Sequence, residues 1–322
     1  MDATPAGSRR LHRFAQLLAA CTFLLIVAGG LVTSTGSGLA VPDWPLSFGQ
    51  VFPRMEGGVL YEHGHRLVAS AIGVLTIGLV VLAHRLEPRR WVRRLAWIAL
   101  GAVVLQGILG GTTVLLRLPD AVSVAHAGLA QLFFALTVAF AVVTSPRWAE
   151  APGTDGPDAA VTRALTVAAA ATLYLQILLG AVVRHTGAGL AIPDWPLSFG
   201  RLVPDFSSSL VVWHYLHRWF ALLPVALIVW TAARIVRRHP DPWLTRPALA
   251  LLALVALQVA LGALTIWKQK AVTPTTAHVA TGALVFVTSV LLAVRAHRAL
   301  RGADSPSASR APGASASFAG SP

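Results

Sequence analysis

The chain has 322 residues, of which 55% are hydrophobic and 12% are charged, and its formal net charge is +13. This composition excludes a water-soluble domain of this size and indicates a polytopic membrane protein. The single cysteine, Cys21, excludes an internal disulfide and a thiolate metal cluster.

Eight apolar stretches have about the 20-residue length that a membrane-spanning helix requires. We place them at 14–34, 63–84, 95–116, 122–144, 164–184, 212–233, 247–267 and 275–295. Most of the 26 basic residues fall on one side of these spans. The excess charge therefore indicates how the protein is oriented in the membrane and does not indicate nucleic-acid binding. We expect a bacterial cell-membrane protein with both termini in the cytoplasm and its two long loops outside.

The two long loops contain nearly the same sequence, "LAVPDWPLSFG" at 39–49 and "LAIPDWPLSFG" at 190–200. The repeat continues beyond them, since "HRLVA" at 65–69 matches "HRWFA" at 217–221. Each repeat has an even number of spans, so both halves insert in the same orientation. The sequence predicts an all-α integral membrane protein with eight transmembrane helices in two tandem, pseudo-symmetric four-helix bundles. Because the loop side chains are repeated, we interpret each loop as a lid rather than a plain connector.

The chain divides accordingly into five segments. Residues 1–13 are a cytoplasmic N-terminal segment, 14–145 the first four-helix half, 146–163 a cytoplasmic linker, 164–298 the second half, and 299–322 a tail. The tail is rich in Ser, Ala, Gly and Pro and is predicted to be disordered in the cytoplasm.

Four histidines occupy equivalent positions near the beginning of predicted spans 2, 4, 6 and 8: His65, His126, His217 and His278. Ionisable side chains inside spans are energetically costly, so they indicate function. Each half presents two imidazoles from two helices, an arrangement that suits a heme iron bound from both faces. Zinc or copper would need further ligands that do not occur in both halves.

Glu62 distinguishes the halves, because the equivalent residue before His217 is His214. A carboxylate beside a porphyrin could accept a proton or stabilise a developing cation, and the alternative is an ion pair with Arg66. We therefore assign chemistry to the first half and a permanent heme to the second. Arg66 and Arg218 either contact heme propionates or extend to lipid headgroups.

Four spans also carry two adjacent small residues, and three of these pairs follow a glutamine by four residues. We interpret the pairs as points of close helix packing, with room for a flat cofactor as the secondary alternative. They are Gly29-Gly30, Gly110-Gly111, Gly180-Ala181 and Gly262-Ala263.

The motifs "EHGHR" at 62–66 and "HYLHR" at 214–218, with His126 and His278, resemble the heme A synthase family over residues 14–298. The resemblance implies an oxidoreductase that oxidises a methyl group of heme O to a formyl group by successive hydroxylations. The product, heme A, would serve cytochrome c oxidase. Many members have a cysteine pair in the first outer loop, whereas this chain has none, which excludes a thiol-based role for that loop.

The resemblance also implies roles for single residues. Glu62 would be catalytic, His65 and His126 would hold the substrate heme, and His217 and His278 would be axial ligands of a heme b cofactor. Heme O synthase and the cytochrome c oxidase assembly machinery would be partners. The roles of His63, His185 and His214 stay open, as does the oligomeric state, including a homo-oligomer.

Two other functions fit the sequence less well. A non-catalytic di-heme membrane cytochrome for quinone-linked electron transfer would have equivalent hemes and would not require Glu62. A transporter is a further alternative, but no charged residue at the middle of a span supports it.

Overall fold

A computed structural model describes residues 5–151, 153–155 and 157–301. Eight helical segments within it are long and apolar enough to cross a membrane, which confirms the predicted all-α membrane class and the eight spans. The helices are α1 Pro5–Ser34, α2 Gly58–Leu86, α3 Arg90–Leu115, α4 Asp120–Val143, α5 Pro146–Glu150, α6 Pro157–His185, α7 Ser209–Phe220, α8 Leu222–Arg238, α9 Pro242–Trp267 and α10 Val272–Ala299. The short α5 lies between spans, and α7 and α8 together form the sixth span.

The sixth span is interrupted at Ala221, between α7 and α8. Pro224 has no amide hydrogen to donate to the carbonyl of Phe220, so the helical bonding is broken at this point. The first half has Ile72 at the equivalent position, and α2 is continuous there.

The helices of each half contact one another in a closed ring. In the first half, α1 and α3 each pack against both α2 and α4. In the second half, α6 packs against α7, α8 and α10, and α9 packs against α8 and α10. Between the halves, α1 packs against α10, and α4 packs against α6 and α10. The arrangement as two tandem four-helix bundles stays a prediction.

The large apolar cores lie at the end of the spans opposite the two long loops. In the first half the core includes Leu11, Leu18, Leu79 and Phe140, which are almost fully buried. The second half has an equivalent core at the same end. The other end, called the loop end here, begins α2, α4, α7 and α10, and it contains the four predicted ligand histidines. Tight apolar packing thus stabilises the end opposite the loops, and the loop end contains the four predicted ligand histidines.

The beginning of the predicted tail is ordered. Ala299 and Leu300 are buried, and strand β2 (Leu300–Arg301) pairs in parallel with β1 (Thr154–Asp155) in the linker. The rest of the tail, 302–322, lies outside the described residues, as do residues 1–4. The segment boundaries and the disorder of the tail stay predictions.

Candidate functional site

Each of the four predicted ligand histidines packs against a glycine of the preceding span. A β-carbon on any of these glycines would lie closer to the imidazole Cε1 than ordinary contact allows, so only glycine lets the ring lie against the helix backbone. The pairs, with that distance, are Gly29 and His65 (3.1 Å), Gly110 and His126 (3.2 Å), Gly180 and His217 (2.9 Å), and Gly262 and His278 (3.1 Å).

These glycines are the first residues of the four small-residue pairs. The close approach predicted for those pairs therefore occurs between a helix backbone and an imidazole ring. The second residue serves other contacts: a β-carbon on Gly111 would lie 2.6 Å from the Trp44 ring, and one on Gly30 would lie 3.4 Å from Cγ2 of Thr276. Gly110 and Gly111 thus allow His126 and the loop residue Trp44 to pack side by side against α3.

Within each half, the two histidines lie near the beginning of their helices at the loop end, His65 with His126 and His217 with His278. All four rings are partly buried. Among the described residues, no three His, Cys, Asp or Glu side chains gather to hold a bare metal ion. Each half offers two imidazoles from two helices, which is the donor set of a bis-histidine heme.

In the second half, both imidazoles have a partner for Nδ1. The Gln176 side-chain nitrogen lies 3.1 Å from Nδ1 of His217 and also donates to the His217 carbonyl at 2.9 Å. Nδ1 of His278 lies 3.1 Å from the backbone oxygen of Gln258, whose side-chain nitrogen is 3.3 Å from Nε2. These contacts fix the orientation of both rings.

In the first half, Nδ1 of His65 and Nδ1 of His126 are buried without a hydrogen-bond partner among the described residues. Gln106 donates only to the backbone oxygen of His126, at 2.9 Å. Leu25 occupies the position that precedes Gly29 by four residues, so α1 has no equivalent glutamine. The first pair of rings is therefore held less firmly than the second.

Glu62 is buried, with 4% of its surface exposed. Its Oε1 accepts from Arg66 Nη2 at 2.6 Å, and its Oε2 accepts from the backbone N–H of Val41 at 2.8 Å. In the second half, Nδ1 of His214 accepts from the equivalent N–H of Ile192 at 3.2 Å. Both positions anchor their loop, and only the first half does so with a carboxylate.

The guanidinium groups of Arg66 and Arg218 bind carbonyls of the repeated loops. Arg66 Nη1 donates to the oxygens of Asp43 (2.8 Å) and Leu46 (3.0 Å). Arg218 Nη1 donates to the oxygen of Asp194 at 2.8 Å. Both arginines therefore fasten the loops to the bundle. A contact with heme propionates stays a prediction.

The repeated loop sequence is explained by its own hydrogen bonds. The Asp43 carboxylate accepts the backbone N–H groups of Phe48 (2.7 Å) and Gly49 (2.8 Å), and Asp194 does the same in the second loop. Phe48 and Gly49 have left-handed φ angles of 53° and 71°, which bring these N–H groups together. The bonds from Gly49 and Phe48 lower the pKa of Asp43.

Asp43→Asn is expected to loosen the first loop at neutral pH. The amide has one oxygen and no negative charge, so it cannot accept both backbone N–H groups as the two carboxylate oxygens do. Because the folded-state pKa is lowered, the contribution of Asp43 is present above its ordinary value of 3.8 and is lost as the pH falls through the lower folded value. Limited proteolysis should show faster loop cleavage in Asp43→Asn. Asp205→Asn, whose side chain is 92% exposed, is the control. Equal cleavage of wild type and Asp43→Asn would contradict this role.

Sequence reasoning left three histidines without a role, His63, His185 and His214, and it passed over Arg184. Nδ1 of His63 lies 2.8 Å from Ser47 Oγ, so His63 also fastens the first loop. His185 is the last residue of α6 and lies at the loop end. The preceding Arg184 bonds to the first half, and the only signal in the sequence was a charge in the last turn of a span.

Comparison with known proteins agrees with these features. The family model of the cytochrome oxidase assembly protein COX15-CtaA matches residues 12–58 and 55–290. A protein named Heme A synthase from Symbiobacterium thermophilum is 37% identical over 254 residues, or 76% of this chain and 82% of the relative. Another Heme A synthase, from Geobacillus kaustophilus, is 31% identical over 323 residues, or 94% of this chain and 98% of the relative. The chain therefore belongs to the COX15-CtaA family of cytochrome oxidase assembly proteins.

Proposed function

We propose that this protein is a heme A synthase, an oxidoreductase that oxidises a methyl group of heme O to a formyl group by successive hydroxylations. Family membership and the names of the relatives support this function. The structural observation that carries it is the pair of glycine-backed histidines in each half. A lipid-like porphyrin suits a site between membrane helices.

The second half is proposed to bind a resident heme b through His217 and His278. Both imidazoles are oriented by groups of Gln176 and Gln258, as expected of ligands that keep their metal. When bound, this heme supplies electron transfer. The protein's part is to hold the two rings at the loop end of an apolar bundle.

The first half is proposed to bind heme O through His65 and His126. A substrate must enter and leave, and two imidazoles without Nδ1 partners restrain it less than the second pair would. The first loop, fastened by Glu62, Arg66 and His63, then acts as a lid that excludes water from the porphyrin.

Glu62 is proposed as the catalytic carboxylate. It lies one helical turn before His65, and its two oxygens accept from Arg66 and from the Val41 N–H. From there it can accept a proton at Oε or stabilise positive charge as the methyl group is oxidised. The second half has the ring of His214 instead of a carboxylate, which fits a heme that is not modified.

Orientation and partners follow from the same proposal. The loop end faces outward, and both termini lie in the cytoplasm, as the distribution of basic residues predicts. Heme O synthase would supply the substrate, and the assembly of cytochrome c oxidase would consume the product.

The function is tested in a host that makes heme O but not heme A. Expression of the wild-type chain, followed by extraction and chromatography of the hemes, should yield heme A. Heme O unchanged in a membrane that contains the intact protein would contradict the proposal and favour a di-heme electron carrier.

The contact between Gly180 and His217 in the proposed site of the resident heme gives a second test. Gly180→Ala would push a β-carbon to 2.9 Å from His217 Cε1, whereas the same change at Gly73 meets nothing within 4 Å. Overpacking costs about 1–3 kcal/mol, so Gly180→Ala should weaken heme binding roughly 5- to 150-fold. The absorbance of heme per protein after purification measures this. Equal heme content in Gly180→Ala and Gly73→Ala would contradict the proposal that the Gly180–His217 contact supports heme binding.

A further inference from the structure

Arg184 joins the two halves of the protein at the loop end. It lies in the last turn of α6, in the second half. Its Nη2 donates to the backbone oxygen of Gly30 at 2.8 Å and to Ser34 Oγ at 3.0 Å, both on α1 of the first half. Ser34 Oγ also accepts from Thr276 at 3.0 Å. The guanidinium is thereby fixed at the boundary between the halves.

This cation lies beside residues that hold the second pair of histidines. Arg184 comes one helical turn after Gly180, which packs against the His217 ring, and Ser34, which accepts from Arg184, also accepts from Thr276, two residues before His278. Its other acceptor, Gly30, follows Gly29, which packs against the His65 ring of the first pair. The helix end that carries Arg184 therefore reaches both candidate sites.

The charge of Arg184 has no acidic partner in the part of the chain that the structure describes. No carboxylate there forms an ion pair with it, and its two hydrogen bonds go to neutral oxygens through one nitrogen. A guanidinium has five N–H donors. A partly buried charge within a span is energetically costly unless an opposite charge compensates it, and it indicates a functional site.

We propose that Arg184 binds a carboxylate of the porphyrin held by His217 and His278. This inference rests on the proposed function, since it takes the ligand to be a heme with two propionates. The planar guanidinium suits a carboxylate, and Gly30 and Ser34 pre-orient it. The resident heme of the second half is then held in part through the first half, so occupancy of one site depends on how the halves contact each other.

The test uses the purified protein with its resident heme. Transfer of heme to excess apomyoglobin gives the rate of loss, and spectroelectrochemical titration gives the midpoint potential. Arg184→Gln should lose heme roughly 10- to 100-fold faster, because one charge-assisted contact is removed. Its midpoint potential should be lower, because a cation near the iron favours the reduced state. Arg184→Lys, which keeps the charge, should lie between Arg184→Gln and wild type.

Two variants separate this role from a structural one. Ser34→Ala removes a contact between the halves and one of the groups that orient Arg184 but keeps the cation, so it should change the rate and the potential much less than Arg184→Gln does. Arg201→Gln removes an arginine whose side chain is 69% exposed and should behave as wild type. The proposal is overturned if Arg184→Gln has the wild-type rate and potential, or if Ser34→Ala changes both as much as Arg184→Gln does.

The remaining outcomes also test the proposed role of Arg184. If Arg184→Gln does not accumulate in the membrane, Arg184→Lys must lose heme faster than Ser34→Ala, and equal rates overturn the proposal. Wild-type protein without any heme that depends on His217 would overturn the proposed function together with this inference. A heme that depends on His217 but not on Arg184 would overturn this inference alone.

Discussion

Replacing Glu62 with glutamine is expected to lower heme A formation by about 100-fold or more, while the resident heme keeps its spectrum. Glutamine preserves the shape of the side chain, and its oxygen can still accept from the Val41 N–H. It cannot carry the negative charge or take up a proton. Extraction of hemes from a host that makes heme O, with the protein level measured in parallel, checks the result.

A second substitution separates catalysis from anchoring of the loop. Glu62→His reproduces the second half, where His214 accepts the equivalent loop N–H. If anchoring were the only role of Glu62, this variant would keep its activity; we expect it to be as inactive as Glu62→Gln. Glu56→Gln, whose side chain is 72% exposed in the same loop, should be fully active. Heme A formed at the wild-type rate by Glu62→Gln or Glu62→His would contradict the catalytic assignment.

The second large effect is expected at His217. His217→Ala should remove the b-type absorption from the purified protein, because a six-coordinate heme loses one of its two protein ligands. His65→Ala should keep that absorption and abolish heme A formation, because only the substrate site is damaged. The optical spectrum of each purified variant and the extracted hemes provide the measurements.

His297→Ala is the matched control, because His297 lies at the end opposite the loops and its Nδ1 is 2.9 Å from the carbonyl oxygen of Ala293 in its own helix. It should match wild type in both measurements. Loss of the b-type absorption in His65→Ala, or its persistence in His217→Ala, would show that the sites are assigned to the wrong halves.

The spans were predictable from the sequence because a bilayer imposes length and composition on each helix separately. The four histidines were predictable because the internal repeat aligns them. The comparisons confirm the family to which "EHGHR" and "HYLHR" pointed.

Contacts between distant residues were not predictable in this way. The glycine next to each imidazole lies on another helix, so the small-residue pairs by themselves indicated close helix packing, or room for a flat cofactor, and did not point to the histidines. Glu62 and His214 both anchor a loop, and only the structure shows this, because each accepts from the backbone N–H of a residue about 20 positions away, Val41 or Ile192. Arg184 was missed because its partner Gly30 is 154 positions distant and the repeat gives Arg184 no counterpart.

The central claim is that each half holds one heme between its own two histidines and that the halves have different tasks. Electron paramagnetic resonance of the oxidised protein loaded with heme O tests it most directly. The account predicts two distinct low-spin bis-imidazole signals, one lost in His65→Ala and the other lost in His217→Ala. A single signal, or two signals that disappear together in either variant, would contradict it.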